Sequence, residues 1–206
     1  AVVGTGGIAR RTVGDLRLSQ SSEVVAVCSR SAESAQAFAR EWTLPLSFHD
    51  YAALCASPDV DALYIGTPHS THFEYARRAL LAGKHVLCEK PFTANAEEAR
   101  TVAEAAAASG LVVMEAFHWR HHPMAADVLG LLADGAIGQV RRASAAFCFP
   151  LTARGDIRWD LSLAGGALMD AGCYPIHMLR TFLRGEPEVW RATAALRAPG
   201  VDRLVE

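Results

Sequence analysis

The sequence predicts an α/β chain whose first part is a doubly wound parallel sheet. Two observations carry that prediction. Short apolar, β-branched runs alternate with helical patterns along roughly the first half of the chain, and a glycine-rich turn stands where the first run gives way to the first helix. Strands with so few polar positions have no face to offer to water, so helices must cover the sheet on both sides.

The expected strands are 1–3, 24–28, 62–65, 85–88 and 111–114, and the expected helices are 8–18, 32–41, 71–81 and 96–108. The last helix is opened by an Asn95-x-x-Glu98 capping box and closed by Gly110. The rhythm changes after Phe117. A helical stretch over 123–133 leads to the turn residues Asp134, Gly135 and Gly138, and then to a longer strand-like run over 140–149. A helix near 175–183 and a strand near 189–196 follow. This organisation predicts a first domain over residues 1–119 and the start of a second over 120–206, with too few elements to complete a separate sheet layer. The strand already under way at Ala1 and the unpunctuated end at Glu206 are read as signs of a fragment.

Of the 206 residues, 51% are hydrophobic and 20% charged, enough apolar material for a real core, and the formal net charge is -2. That charge gives no basic field for nucleic acid or anionic lipid and favours small-molecule or protein partners. The absence of a membrane-length apolar run and of a charged leader makes a cytoplasmic location the default expectation. Five cysteines, odd in number and without a Cys-x-x-Cys pair, read as reduced thiols and not as a disulfide framework or zinc knuckle.

Gly4-Thr5-Gly6-Gly7-Ile8-Ala9 matches G-x-G-x-x-G/A at a strand-to-helix junction, the context a dinucleotide-binding turn needs. Gly4 permits the tight turn, Gly6 lets the backbone approach a pyrophosphate, and Ala9 allows close helix packing while the helix N-terminus offers its N–H groups. At the end of the second strand, where an acidic residue commonly accepts from the ribose 2'-hydroxyl of NAD, the chain reads Cys28-Ser29-Arg30-Ser31. A hydroxyl and a guanidinium in place of a carboxylate favour the 2'-phosphate of NADP, with NAD still possible. The alternative is a solvated Arg30 beside a helix-capping Ser31.

Thr67-Pro68-His69-Ser70-Thr71-His72 follows the strand over 62–65, and Glu89-Lys90-Pro91 follows the next. Both stand at carboxyl ends of strands, the ligand edge of an open parallel sheet. Together with Ala82-Gly83-Lys84-His85-Val86-Leu87-Cys88 and the later Gly165-Gly166-Ala167-Leu168-Met169-Asp170-x-Gly172-x-Tyr174, these segments resemble the Gfo/Idh/MocA oxidoreductase family, in the family's order. The resemblance implies an N-terminal Rossmann domain and a C-terminal α/β domain with an open, mainly antiparallel sheet that often makes subunit contacts, so a homo-oligomer is expected. It implies cofactor contacts at Gly4, Gly6, Gly7, Ile8, Ala9, Ser29, Arg30, Thr67, Pro68, His72, Glu89 and Lys90. It also places Lys90 at the catalytic lysine, Tyr174 at the acid/base position and Asp170 at an orienting position. Tyrosine at residue 174, with Ser29-Arg30 and the stretch 115–120, is similar to the branch holding dimeric dihydrodiol dehydrogenase and NADP-dependent aldose dehydrogenases.

The chemistry follows without the resemblance. Alcohol oxidation needs a proton acceptor as hydride leaves carbon, and a tyrosine of ordinary pKa about 10 is poorly ionised near neutrality. A lysine ammonium near the phenol favours phenolate and stabilises developing oxyanion charge. The resemblance adds weaker candidates for the substrate, a sugar, polyol or cyclic diol: Arg158, whose alternative is a surface salt bridge, Arg120, and His177, three residues after Tyr174, whose alternative is a structural helix histidine. His118, His121, His122, His69 and His72 lack the spacing of a known metal helix, so no metal is expected. The competing readings are an enzyme that shuttles hydride between two sugars on a tightly held cofactor, and a dinucleotide sensor without turnover.

Overall fold

In the computed structural model, which describes residues 1–153 and 155–206, the apolar runs of the first half form one parallel six-stranded sheet. Its strands are β1 (Val2–Val3), β2 (Ala26–Cys28), β3 (Leu46–Phe48), β4 (Ala62–Ile65), β5 (His85–Cys88) and β6 (Val113–Glu115), arranged β3-β2-β1-β4-β5-β6. The helices are α1 (Gly7–Leu16), α2 (Ala32–Trp42), α3 (Tyr51–Ala56), α4 (His72–Leu81) and α5 (Ala96–Ser109). The order reverses between β1 and β4, which opens a crevice at their carboxyl ends.

Alternation along the strands divides the core between the two faces. Val3, Ala26, Leu63, Ile65, Val86 and Cys88 pack with Leu54, Ala76, Ala79, Leu80 and Val102, so α3, α4 and α5 cover one face. Val2, Val27 and Tyr64 point the other way, onto Ala9 and Val13 of α1 and Phe38 and Ala39 of α2. Each aliphatic side chain fully removed from water here contributes roughly 1.5–3 kcal/mol, and the two-sided burial explains why these strands carry so few polar residues.

In the first half of the chain two elements escaped the sequence reading, β3 and α3. Leu46-Ser47-Phe48 is too short and mixed to stand out, and pairing with β2 makes it a strand. The six-residue α3 is fixed by Asp50, whose side chain accepts from Ala52 N at 2.9 Å. In the capping box of α5 the Asn95 side chain accepts from Glu98 N at 3.0 Å, while the Glu98 carboxylate reaches Ala94 N and not Asn95 N. Gly110 closes the helix with φ 68°, a left-handed conformation.

The chain divides into Ala1–Ala116 and Phe117–Glu206. The second unit holds α6 (Pro123–Ala133), a π-helical turn Leu168–Gly172 running into α7 (Cys173–Leu183), and an antiparallel pair, β7 (Ala194–Ala198) and β8 (Val201–Val205). The run over 140–149, expected as a strand, joins no ladder among the described residues and is not one here, because β structure requires a paired neighbour. The strand expected over 189–196 begins only at Ala194. Among the described residues no helix is long and apolar enough to cross a membrane.

Candidate active site

The turn after β1 is built from glycines with two different reasons for being glycine. Gly4 has φ 108°, and a Cβ on it would stand 2.7 Å from the Gly66 carbonyl oxygen, so the close approach of the β1 and β4 loops requires it. Gly6 has an ordinary extended backbone, φ -75° and ψ -176°, and a Cβ on it or on Gly7 would meet nothing within 4 Å. Neither backbone strain nor crowding inside the chain explains them. Gly6 is also the N-cap of α1 and supplies no side-chain cap, and the helix's first turn carries no acidic residue. The free N–H groups, the helix dipole and the room left above Gly6 fit a pyrophosphate. Ala9 is fully buried against the sheet and Ile8 is exposed beside the turn.

At the end of β2, Ser29 N donates to Phe48 O at 3.1 Å and fixes the loop, and Arg30 is exposed. Ser31 caps α2, its side chain accepting from Ser34 N at 3.3 Å. Ser31 thus has a local role, while Arg30 forms no ion pair among the described residues.

After β4, Thr67 Oγ1 lies 2.7 Å from Thr71 Oγ1, and Pro68 O accepts from the Thr71 hydroxyl at 2.7 Å. His72 is fully buried, with its ring nitrogens 2.9 Å from the Pro91 and Thr67 carbonyl oxygens. A neutral imidazole donates to one of them and a protonated one to both. Burial pushes this imidazole down from its ordinary value, and the two carbonyls and Glu89, which pull the other way, do not offset it. His72 therefore ties the Thr67 loop to the Lys90-Pro91 loop. Expected as a cofactor contact, this side chain has both ring nitrogens on backbone carbonyl oxygens.

Glu89 and Lys90 follow β5 directly. The Glu89 carboxylate accepts from the Tyr64 hydroxyl at 2.8 Å and from Lys90 N at 3.3 Å. Beyond them the Phe92 N–H donates to Glu115 Oε1 of β6 at 2.8 Å. Lys90, half-buried, is thereby carried on a loop held from β4, α4 and β6.

In the second unit Tyr174 lies in the first turn of α7, its ring edge-on to Phe117 at 5.5 Å and to Phe147 at 5.3 Å. His177 stacks on the same Phe117 with ring centroids 3.9 Å apart. Burial, then the charges of Arg120 and Arg180, holds the His177 imidazole below its ordinary value, and its Nδ1 is buried with no hydrogen-bond partner. Arg120 is exposed on the 3-10 turn His118–His121. Asp170, 5% exposed, is in the π-helical turn and receives Arg158 Nε at 2.7 Å, while Arg158 Nη1 donates to Asp156 at 3.1 Å. Burial works against the guanidinium, and the two carboxylates more than offset it. Arg158 and Asp170 line an apolar cavity of about 500 Å³ with Phe147, Phe149, Trp159 and Pro175. Arg158, expected either at the substrate or in a salt bridge, has its guanidinium engaged by two carboxylates and anchors Asp170.

Sequence reasoning missed Tyr64, Glu115 and Asp202 as parts of the site. Tyr64 reads as a core strand residue, and the hydroxyl that distinguishes it carries no periodic signal. Asp202 of β8 accepts from Leu168 N at 2.7 Å and so caps the π-helical turn from 34 residues away. Among the described residues no group of three or more His, Cys, Asp or Glu is placed to hold a metal.

Residues 1–117 match the family model described as the oxidoreductase family with an NAD-binding Rossmann fold, and residues 126–206 match the GFO/IDH/MocA C-terminal domain. The chain is 38% identical over 202 residues to D-xylose 1-dehydrogenase (NADP(+)) 2 of Haloferax volcanii, covering 98% of this chain and 62% of the relative. It is 36% identical over 185 residues to trans-1,2-dihydrobenzene-1,2-diol dehydrogenase of Xenopus laevis, covering 89% and 56%. A solved 3-ketoreductase from Actinomadura kijaniata, in complex with NADP and TDP-benzene, superposes with a TM-score of 0.82 at 39% identity, over 88% of this chain and 56% of that one. The chain thus spans about three fifths of the length of these relatives. A glycine cradle at the switch point of a six-stranded parallel sheet, with two successive model matches, leads to one statement of kinship: the chain belongs to the GFO/IDH/MocA oxidoreductase family, with its NAD-binding Rossmann domain in residues 1–117.

Proposed function

We propose that this chain is part of an NADP-dependent oxidoreductase that moves hydride between nicotinamide and a carbinol or carbonyl carbon of a sugar, polyol or cyclic diol. The observation that carries the reading is the cradle at Gly6, whose missing side chain neither strain nor crowding within the chain explains. Similarity to a xylose dehydrogenase, a dihydrodiol dehydrogenase and a ketoreductase solved with NADP supports the cofactor and the substrate class. Arg30, exposed at the end of β2, takes the 2'-phosphate in this reading, and Ser29 lines the same loop.

When bound, the cofactor supplies the hydride acceptor or donor. The chain's own residues handle charge and the proton. Tyr174 takes the hydroxyl proton in the oxidising direction and returns it in the reducing one. Lys90 offers its ammonium to the oxygen on which negative charge develops. Asp170, fixed by Arg158, holds the π-helical turn that leads into Tyr174. The homo-oligomer expected through the sheet of the second domain belongs to the same proposal.

The test is hydride transfer by full-length protein with NADP⁺ or NAD⁺ across D-xylose, other aldoses and cyclic trans-diols. NADPH formation with at least one of these substrates is expected. Reduced cofactor that survives dialysis and reacts only on adding a second sugar would instead indicate the shuttling enzyme.

A further inference from the structure

A row of hydroxyls crosses the first unit beneath the Lys90 loop. Thr12 Oγ1, on α1, donates to the Tyr64 hydroxyl at 3.0 Å, and that hydroxyl donates to Glu89 Oε1 at 2.8 Å. The other Glu89 oxygen accepts from the backbone N–H of Lys90 at 3.3 Å. Each hydroxyl has one proton, and both protons point the same way, from the cofactor helix toward the carboxylate. Such an aligned row polarises its members, and it ends on a carboxylate, a stronger acceptor than another hydroxyl.

The tyrosine is buried and closely approached by the chain. It is 4% exposed on the central strand β4, and a Cβ on Gly66 would stand 2.9 Å from its ring. Burial raises its phenol far above the ordinary range, so it remains a donor. Phenylalanine would fill the same space in the core. The hydroxyl is therefore not needed for packing, and its two bonds join α1 to the loop that carries Lys90.

We infer that Tyr64 is a positioning residue, whose hydroxyl couples the dinucleotide-binding helix α1 through Thr12 to Glu89 and so holds the backbone of Lys90 in place. This inference rests on the role proposed for Lys90, but the coupling itself can be measured without turnover. Neither Thr12 nor Tyr64 touches the reacting atoms; both act through Glu89.

The experiment uses full-length protein in three forms, wild type, Tyr64→Phe and Thr12→Val. Amide hydrogen exchange over residues 89–92 is followed without ligand, together with NADPH binding by nicotinamide fluorescence and steady-state oxidation of D-xylose. Tyr64→Phe should raise exchange of the Lys90 amide about tenfold, the scale expected for losing a hydrogen bond to a charged group, and Thr12→Val should raise it less. Where turnover is seen, Tyr64→Phe should lower kcat by about the same factor while the KM for sugar stays within about twofold. A merely structural role would leave exchange and kcat at wild-type values in the folded variant. Unchanged Lys90 exchange in both variants overturns the inference whatever the activity. Wild type that neither binds NADPH nor oxidises any sugar counts against the proposed function instead, and the exchange result still decides the coupling.

Discussion

Gly6 and Gly4 lie two residues apart and are glycine for opposite reasons, which makes them a paired test. Gly4→Ala forces a side chain into a left-handed backbone and against Gly66 O, so it should cost about 2 kcal/mol or more of stability in denaturant unfolding. Gly6→Ala meets nothing inside the chain and should leave the unfolding midpoint almost unchanged while weakening NADPH binding. A destabilised Gly6→Ala with normal binding would move the cradle's explanation back into the fold. At Arg30 the expected effect is selective. Arg30→Ala should weaken NADP⁺ by the cost of one charge-assisted hydrogen bond, about 1.5–3 kcal/mol, and NAD⁺ much less; equal losses with both cofactors would remove Arg30 from the 2'-phosphate. Tyr174→Phe keeps the edge-on contacts to Phe117 and Phe147 and removes the hydroxyl, so kcat should fall by about 10²–10⁴ with cofactor affinity retained. If Tyr174→Phe turned over normally, His177 would be the next acid/base group to test.

At the scale of elements, the loops after β4 and β5 depend on one histidine. Burial lowers the His72 pKa in the folded state below its unfolded value of about 6.5, so the unfolded chain binds that proton more readily. Its contribution to stability is complete above about pH 6.5 and is lost as pH falls through the lower folded value. Chemical unfolding of wild type and His72→Gln between neutral and mildly acidic pH should show their stability difference shrinking on acidification; a widening gap would reverse the sign. What could be read in advance divides along the same line. Apart from β3, the strands of the Rossmann domain, its glycine turn and the caps at Asn95 and Gly110 were legible because each is a local pattern with one structural solution. The run over 140–149 looked equally like a strand, yet strand character depends on a partner that its own residues do not encode. Arg158, Asp170 and Asp202 illustrate the same limit. Their bonds bring together residues 12 and 34 positions apart in sequence, which no local pattern encodes.

On the scale of the whole molecule, the chain combines a cofactor cradle, a lysine on a braced loop and a tyrosine on an aromatic-packed helix, in a family of oxidoreductases. A ligand that binds only the folded state stabilises it by mass action, so NADPH at about 100 times its Kd should add about 2.7 kcal/mol to the stability of the full-length protein. The central proposal is that the full-length protein performs NADP-dependent oxidation of a sugar-like alcohol. The most direct test is the rate of NADPH formation by the full-length protein, with D-xylose, other aldoses and cyclic trans-diols, beside the same reactions with NAD⁺. The account predicts turnover on at least one of these substrates, with kcat/KM at least about tenfold higher for NADP⁺ than for NAD⁺. Absence of hydride transfer across the panel with both cofactors, or a clear preference for NAD⁺, would contradict it.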